Sequence, residues 1–280
     1  MTFKEHSYTV SPFIDYTKAK NLTVIGYEDL YVNQLSVDDI VIFCDIDRCN
    51  TKRLNTLKKI FEEVEKVGCR TMNNPNKVLR RFDLVNHLNS LNYNLFKVYR
   101  PQEVDVQSIR YPVFLRDEFE HNGPNTDLIY NHTELTKVIE KINHKDILIT
   151  EFVNTSVDSL FHKYGAFIID GEIIPRHYFI SERWNVKSSS SITNESIINE
   201  IKYLNNNPHR ELLQKISEIT NIEYGRIDYS FLENQIVVFE INTNPTIIDQ
   251  WDIEEESLRY AVTKQFVNNL TIKVNSMKRA

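Results

Sequence analysis

The sequence predicts a mixed α/β protein, class α/β (α+β), on three observations. Short runs rich in β-branched and aromatic residues alternate along the chain with segments of helical period. Two hairpin signatures fall late, one turning at Asp170-Gly171 and one at Glu233-Asn234. The length of 280 residues suits one large or two to three small units rather than one small domain. A hydrophobic fraction of 41% and a charged fraction of 26% are ordinary globular values, so a sizeable core is expected.

Three segments follow in order. In the first, residues 1–74, "NLTVIGYEDL" and "DDIVIFCDI" read as strands, "TKRLNTLKKIFEEVEKVG" as an amphipathic helix ending at Gly68, and "CRTMNNP" as the start of another strand. This is a small α/β unit. The second, residues 75–150, carries a helix "KVLRRFDLVNHLNSL", strands around "NLFKVYRP" and "YPVFLRD", a loop leading to a strand "DLIY", a helix "TELTKVIEKIN" and a strand "DILITEFV" that runs past the boundary. The third, residues 151–280, holds the hairpin "YGAFIIDGEIIPRHYFI", a helix near "PHRELLQKISEIT", a second hairpin and a last helix "EESLRYAVTKQFVNNL". The stretches "KSSSS" and "LNNNP" read as loops.

Composition excludes several classes of function. A net charge of −6 and a pI near 5.8 offer no basic surface for nucleic acid or anionic membrane. No run approaches the roughly 18 apolar residues of a membrane span, and "MTFKEHSYTVSPF" lacks an apolar signal core, so a cytoplasmic protein is expected. Three cysteines without CxxC spacing indicate neither a disulfide framework nor a zinc site. Six glycines leave no GxGxxG or GxxxxGK[ST] to cradle a phosphate, and GxSxG and HExxH are absent.

The second hairpin lies in "GRIDYSFLENQIVVFEINTNP", Gly225 to Pro245. Alternation puts Arg226 and Asp228 on one face of its first strand and Glu240, Asn242 and Asn244 on one face of its second. Should the register bring those faces together, Asp228, Glu240 and Asn242 form the hard oxygen set that Mg²⁺ takes. The competing reading is a polar, solvated hairpin face.

This stretch resembles the ATP-grasp superfamily, nearest the D-alanine:D-alanine ligase and ribosomal-protein glutamate ligase branch, whose members carry GRID, about ten residues, then E-[IVA]-N-x-x-P. The resemblance implies an ATP-grasp fold after a small N-terminal pre-ATP-grasp unit, with residues 75–150 as the small lobe bearing a phosphate lid and residues 151–280 as the large lobe bearing the metal site. It implies that Asp228, Glu240 and Asn242 bind Mg²⁺, with Mn²⁺ as an alternative, and that Arg226 contacts the reacting carboxyl or phosphoryl group. The segment "TEFVNTSVD" matches the family's interlobe strand, implying Glu151, Phe152 and Val153 at the adenine and Asp158 at the ribose.

Arg81 and Arg116 stand where the family has phosphate-binding lysines, and the family's glycine-rich lid is replaced by "DEFEHNGPNTDL". In "PRHYFISERWNVKSSSS", Lys187 is the candidate cation for the γ-phosphate, with Arg176 and Arg183 next; His121 is the one histidine weighed as functional. Together these imply an ATP-dependent carboxylate-amine ligase working through an acyl phosphate on small-molecule or peptide substrates, with a homodimer allowed. A kinase-type ATP-grasp phosphotransferase and a non-catalytic nucleotide-binding module remain open.

Overall fold

A short helix that the sequence pattern did not reveal, α1 (Ser11–Thr17), starts after Val10 with proline in its first turn, where a missing N–H costs nothing. The computed structural model describes residues 1–142, 146–190 and 192–277. The strand expected in "NLTVIGYEDL" does not form. Thr2 bridges Gly26 in isolation, donating to Ile25 O and accepting from Tyr27 N, and Tyr27–Asp29 make a 3₁₀ turn instead.

Two parallel strands, β1 (Ile40–Ile42) and β2 (Arg70–Met72), are connected by α2 (Thr51–Val67). Asn50 caps that helix by accepting from Arg53 N at 3.0 Å, and Gly68 ends it at φ 84°, a left-handed cap that glycine adopts without strain. Its buried stripe is Leu57, Phe61 and Val64. The next helix, α3 (Arg81–Ser90), begins four residues later than its apolar pattern suggests. A three-stranded antiparallel sheet follows in the order β3 (Val98–Tyr99), β5 (Ile147–Glu151), β4 (Val113–Asp117), with α4 (His132–Lys141) inserted before β5. Of the expected "DLIY" strand only the bridge Val113↔Ile129 forms, and the expected end of α4 at Asn143 lies outside the described residues.

The largest sheet is β8 (Glu172–Ser181), β7 (Leu160–Ile169), β9 (Tyr224–Leu232) and β10 (Gln235–Asn242), all antiparallel, with the short β6 (Ser156–Val157) also on β7. Both hairpins turn where the sequence places them. Helices α5 (Asn194–Asn206), α6 (Arg210–Thr220) and α7 (Tyr260–Ser276) pack on this sheet. The sequence reading missed α5 and gave Leu204–Asn206, its last turn, to a loop. Its start is set by Thr193 and Ser196, each side chain bonding the other's backbone N–H. Ser191 of the "KSSSS" loop is outside the described residues. No described helix is long and apolar enough to cross a membrane.

One apolar core runs through these sheets: Phe43, Leu57 and Phe61 cluster with Leu84 and Leu88 of α3 and with Ile227, Tyr229 and Val237 of the large sheet. Asn73 fastens this joint. Fully buried and left-handed at φ 62°, it donates to Phe43 O (3.0 Å) and Tyr224 O (2.7 Å) and accepts from Glu223 N (2.8 Å) and Tyr224 N (3.0 Å). Asn73→Ala orphans four backbone groups and puts a Cβ residue without compensation in the left-handed region, a loss of roughly 3 to 5 kcal/mol. Urea unfolding should show it as a lower midpoint at unchanged slope.

Candidate active site

Register across the large sheet lines up one row of residues, His177↔Gly165↔Asp228↔Glu240, and beside it Phe167↔Arg226↔Asn242. Directly opposed residues in antiparallel strands share a face, so Asp228 and Glu240 stand side by side. A one-residue bulge between Val238 and Glu240 makes this workable. Two residues apart on a regular strand would share a face; the bulge sends Val238 into the core and Glu240 to the cleft.

The cleft, a cavity of about 450 Å³, has two ends of different chemistry. Its polar end holds Arg116, His121, Lys163, Arg226, Asp228 and Glu240. Arg81 Nη2 and Arg116 Nη2 both bond Glu240 Oε2, each at 2.8 Å, and every ion pair of Glu240 among the described residues runs to that oxygen, leaving Oε1 uncommitted. Asp228 is held by Arg226 Nε at 2.8 Å, with Lys163 Nζ at 3.6 Å. Burial alone would raise the Glu240 carboxyl, but Arg116 and Arg81 outweigh it and hold it well below its ordinary range. Burial and the neighbouring Arg81 charge bring Arg116 down to about 10.

The N-terminal segment and the lid meet here as well. His121 Nε2 lies 2.6 Å from Asp47 Oδ2, and His121 Nδ1 lies 3.4 Å from Asn242 Nδ2. Asp47 also accepts from the backbone and hydroxyl of Thr243. Arg81 Nη1 donates to three lid carbonyls, those of Asp117 (2.8 Å), Glu118 (3.0 Å) and Glu120 (2.9 Å), while Lys187 Nζ donates to Asn122 O at 3.0 Å.

The structure therefore gathers most of the expected site residues and displaces others. Asp228, Glu240, Asn242, Arg226, Arg116, Phe152, Val153 and Lys187 border one cleft or its floor. Arg81 abuts Glu240 through Nη2 and donates from Nη1 to three carbonyls of the 117–120 segment, while its buried Nε has no hydrogen-bond partner among the described residues. Arg176 does not line the cleft: at the β8 bulge it turns under the sheet, donating to Ile247 O and Asp252 against the Phe266 ring. Glu151 lines the cleft beside Phe152, and its carboxylate is held by Lys97 N, Tyr99 Oη and Arg110. Asp158 is the exposed tip of the β6–β7 turn, left-handed like Ser159 after it, and is not among the cleft-lining residues. Sequence reasoning missed Asp47, Lys163, Phe114 and Trp184. Only Lys163 left a trace there, as a charge two residues from Gly165 in a strand that is apolar from Ala166 onward.

Gly165 is required for space. A Cβ there would stand 2.2 Å from the His177 ring, which crosses the glycine toward Asp228 with Nε2 at 3.9 Å from Oδ1. Burial first, then the surrounding cations led by Arg226, press the His177 pKa well below its ordinary value, so this ring is neutral.

No cluster of three or more His, Cys, Asp or Glu able to hold a metal exists among the described residues. The donor set is instead two carboxylates and one amide on adjacent strands, with Asn242 Oδ1 also accepting from Asn244 N at 2.9 Å. Such a hard, incomplete set fits Mg²⁺ arriving with phosphate oxygens and water, not a standing metal centre.

Asp47 gives a pH signature. Burial would raise its carboxyl, but the adjacent His121 and the Thr243 hydrogen bonds outweigh this and bring it to about 2. A depressed folded pKa contributes stability that is present above the unfolded value near 4 and lost as pH falls through 2, about 2 kcal/mol in all. Asp47→Asn should flatten the stability profile between pH 4 and pH 2. A second expectation concerns the lid: Arg81→Lys keeps the charge but cannot span three carbonyls and a carboxylate. Hydrogen exchange at residues 118–122 should accelerate about 10-fold or more, while exchange in the large sheet stays put.

No protein-family model matches the chain. It is 26% identical over 143 residues to coenzyme gamma-F420-2:alpha-L-glutamate ligase of Methanococcus maripaludis, covering 51% of this chain and 48% of that one. It is 25% identical over 224 residues to D-alanine–D-alanine ligase of Petrotoga mobilis, covering 72% of this chain and 70% of that one. The chain thus spans about half the length of the first of these relatives and more of the second. Among solved structures, D-alanine–D-alanine ligase of Bacillus anthracis complexed with ATP superposes with a TM-score of 0.54 at 11% identity, over 97% of this chain and 93% of that one, a likeness of fold.

Proposed function

We propose that this chain, an ATP-grasp protein near the D-alanine:D-alanine ligase branch, is an ATP-dependent ligase that joins a carboxylate to an amine. The observation that carries this reading is a charge imbalance. Four cationic side chains, Arg81, Arg116, Arg226 and Lys163, share two carboxylates, Glu240 and Asp228, all six largely buried. Excess buried positive charge is costly unless an anion joins it, and a polyphosphate is such an anion.

In the proposed reaction ATP lies with its phosphates at the polar end of the cleft. Arg116 and Lys163 neutralise the γ-phosphate as it passes to the acceptor carboxylate, and Lys187 keeps the lid closed over it. Arg226 is positioned to stabilise the oxyanion formed when the amine attacks the acyl phosphate, a contact absent before that step. Asp228, Glu240 and Asn242 hold Mg²⁺, or Mn²⁺ in its place, which when bound screens the phosphate charge. Lid closure keeps water from the acyl phosphate. The units 1–74, 75–150 and 151–280 serve in this proposal as the N-terminal wall, the small lobe with its lid, and the large lobe with the metal-binding hairpin. Small-molecule or peptide carboxylates and amines are the proposed substrates.

Incubating the protein with ATP, Mg²⁺ and pooled carboxylates and amines should yield ADP, free phosphate and a new condensed mass. Asp228→Asn should lower this turnover about 100-fold or more with the fold retained by circular dichroism. A stable phosphorylated product formed without any amine requirement would convert the assignment to a phosphotransferase.

A further inference from the structure

The proposed reaction gives no role to Asn244. By alternation it shares the face of Glu240 and Asn242, yet it is fully buried and its amide is committed to a distant part of the chain. Its Nδ2 donates to Asp45 Oδ1 (2.9 Å) and Thr2 Oγ1 (2.8 Å), with His6 O at 3.4 Å, and its Oδ1 accepts from Thr9 Oγ1 at 2.7 Å. Both ends of the amide are taken up, which removes Asn244 as a metal ligand. The anchor it grips is an anion. Burial would raise the Asp45 carboxyl, but hydrogen bonds from His6, Thr2 and Asn244 outweigh it and hold it below its ordinary range.

Asn244 reaches the cleft through its backbone. Its N–H, which can only donate, lies 2.9 Å from Asn242 Oδ1, so the oxygen of that amide is the atom facing it, and Asn242 Nδ2 is turned to His121 Nδ1 at 3.4 Å. The Asn242 oxygen keeps a second lone pair for a cation. Pro245 disfavours a helical backbone at Asn244, and Ile247 N donates to Thr9 O at 3.0 Å, so the turn after β10 is held on both sides of the proline. Resting on the metal reading above, we propose that Asn244 is a positioning residue for the metal site: its side chain clamps the end of β10 to residues 2–9 and Asp45, and its N–H fixes the direction in which Asn242 Oδ1 is presented to Mg²⁺. The first segment of the chain thereby shapes the metal site without supplying a ligand, as the outer hydrogen-bond partners of metal ligands do in general.

Titrating Mn²⁺ into protein saturated with a non-hydrolysable ATP analogue, followed by electron paramagnetic resonance, tests this without turnover. Asn244→Ala should weaken Mn²⁺ binding about 10-fold or more and leave the affinity for the analogue without metal unchanged. Because that variant also strips a donor from the buried Asp45, a pair of substitutions at Thr9 asks the same question from the other side of the clamp. Thr9→Val keeps the shape but loses the hydroxyl and should weaken Mn²⁺ about 3-fold or more, whereas Thr9→Ser keeps the hydroxyl and should stay within about 2-fold of wild type. Leu57→Ala, which hollows the core beneath α2, should lose stability and bind Mn²⁺ as the wild type does. Mn²⁺ affinity unchanged in Asn244→Ala, or in Thr9→Val where Asn244→Ala does not fold, would overturn the positioning role and leave the metal reading standing. A loss shared by Leu57→Ala, or matched by the metal-free analogue, would overturn it as general damage. Wild-type protein that binds the analogue but no Mn²⁺ would remove the positioning role together with the metal reading on which it rests.

Discussion

Two guanidinium groups converge on one oxygen of Glu240, and the arrangement of the cleft follows from keeping them there. Arg81 and Arg116 repel each other, and burial penalises both, yet Glu240 Oε2 holds each at 2.8 Å. A single carboxylate does not neutralise two largely buried cations, and Arg81 also draws on three backbone carbonyls of the lid. The lid is thereby fastened to the residue that carries the local negative charge. On the proposed function, an incoming phosphate that offers Arg116 a better partner would free Glu240 to take a cation, tying phosphate binding, metal binding and lid position to one carboxylate.

That carboxylate is aimed by a defect in the sheet. Without the bulge before Glu240, Val238 and Glu240 would share a face, and either a valine would sit in the cleft or a glutamate in the core. A second bulge, opposite Gly165 and Ala166, sends Arg176 beneath the sheet and lays the His177 ring over Gly165. The sheet thus sorts two neighbouring cationic and imidazole side chains into different environments. Its core, shared with α2 and α3, holds the N-terminal segment close enough for Asp47 to reach His121.

Much of this was legible in the sequence because it is local. The hairpin of Gly225 to Pro245 announces its turn at Glu233-Asn234 and its acid-bearing face by alternation alone, and the register then joins Asp228 to Glu240. What alternation cannot carry is a bulge, and Arg176, a candidate only through the family resemblance, is the residue that the bulge in β8 turns under the sheet. Long-range contacts are equally silent: nothing near "FCDIDR" states that Asp47 meets a lid residue 74 positions later. Nor does the sequence say that the carboxylate of Glu151, a residue lining the cleft, is taken up by Lys97 N, Tyr99 Oη and Arg110. Helix α5 escaped notice because its polar residues Asn194, Glu195, Asn199 and Asn205 follow a serine tract, and its buried face includes Glu200, paired with Arg259 at 2.8 Å.

On the proposed function, Glu240 exchanges an arginine partner for a metal ion when a triphosphate binds. Crystals grown with a non-hydrolysable ATP analogue and Mn²⁺ test it directly through the anomalous signal of the metal. The account predicts a Mn²⁺ peak coordinated by Glu240 and Asp228, with Arg116 on a phosphate oxygen and no longer on Glu240. A bound analogue with no metal at those carboxylates, and with both arginines still on Glu240, would contradict it.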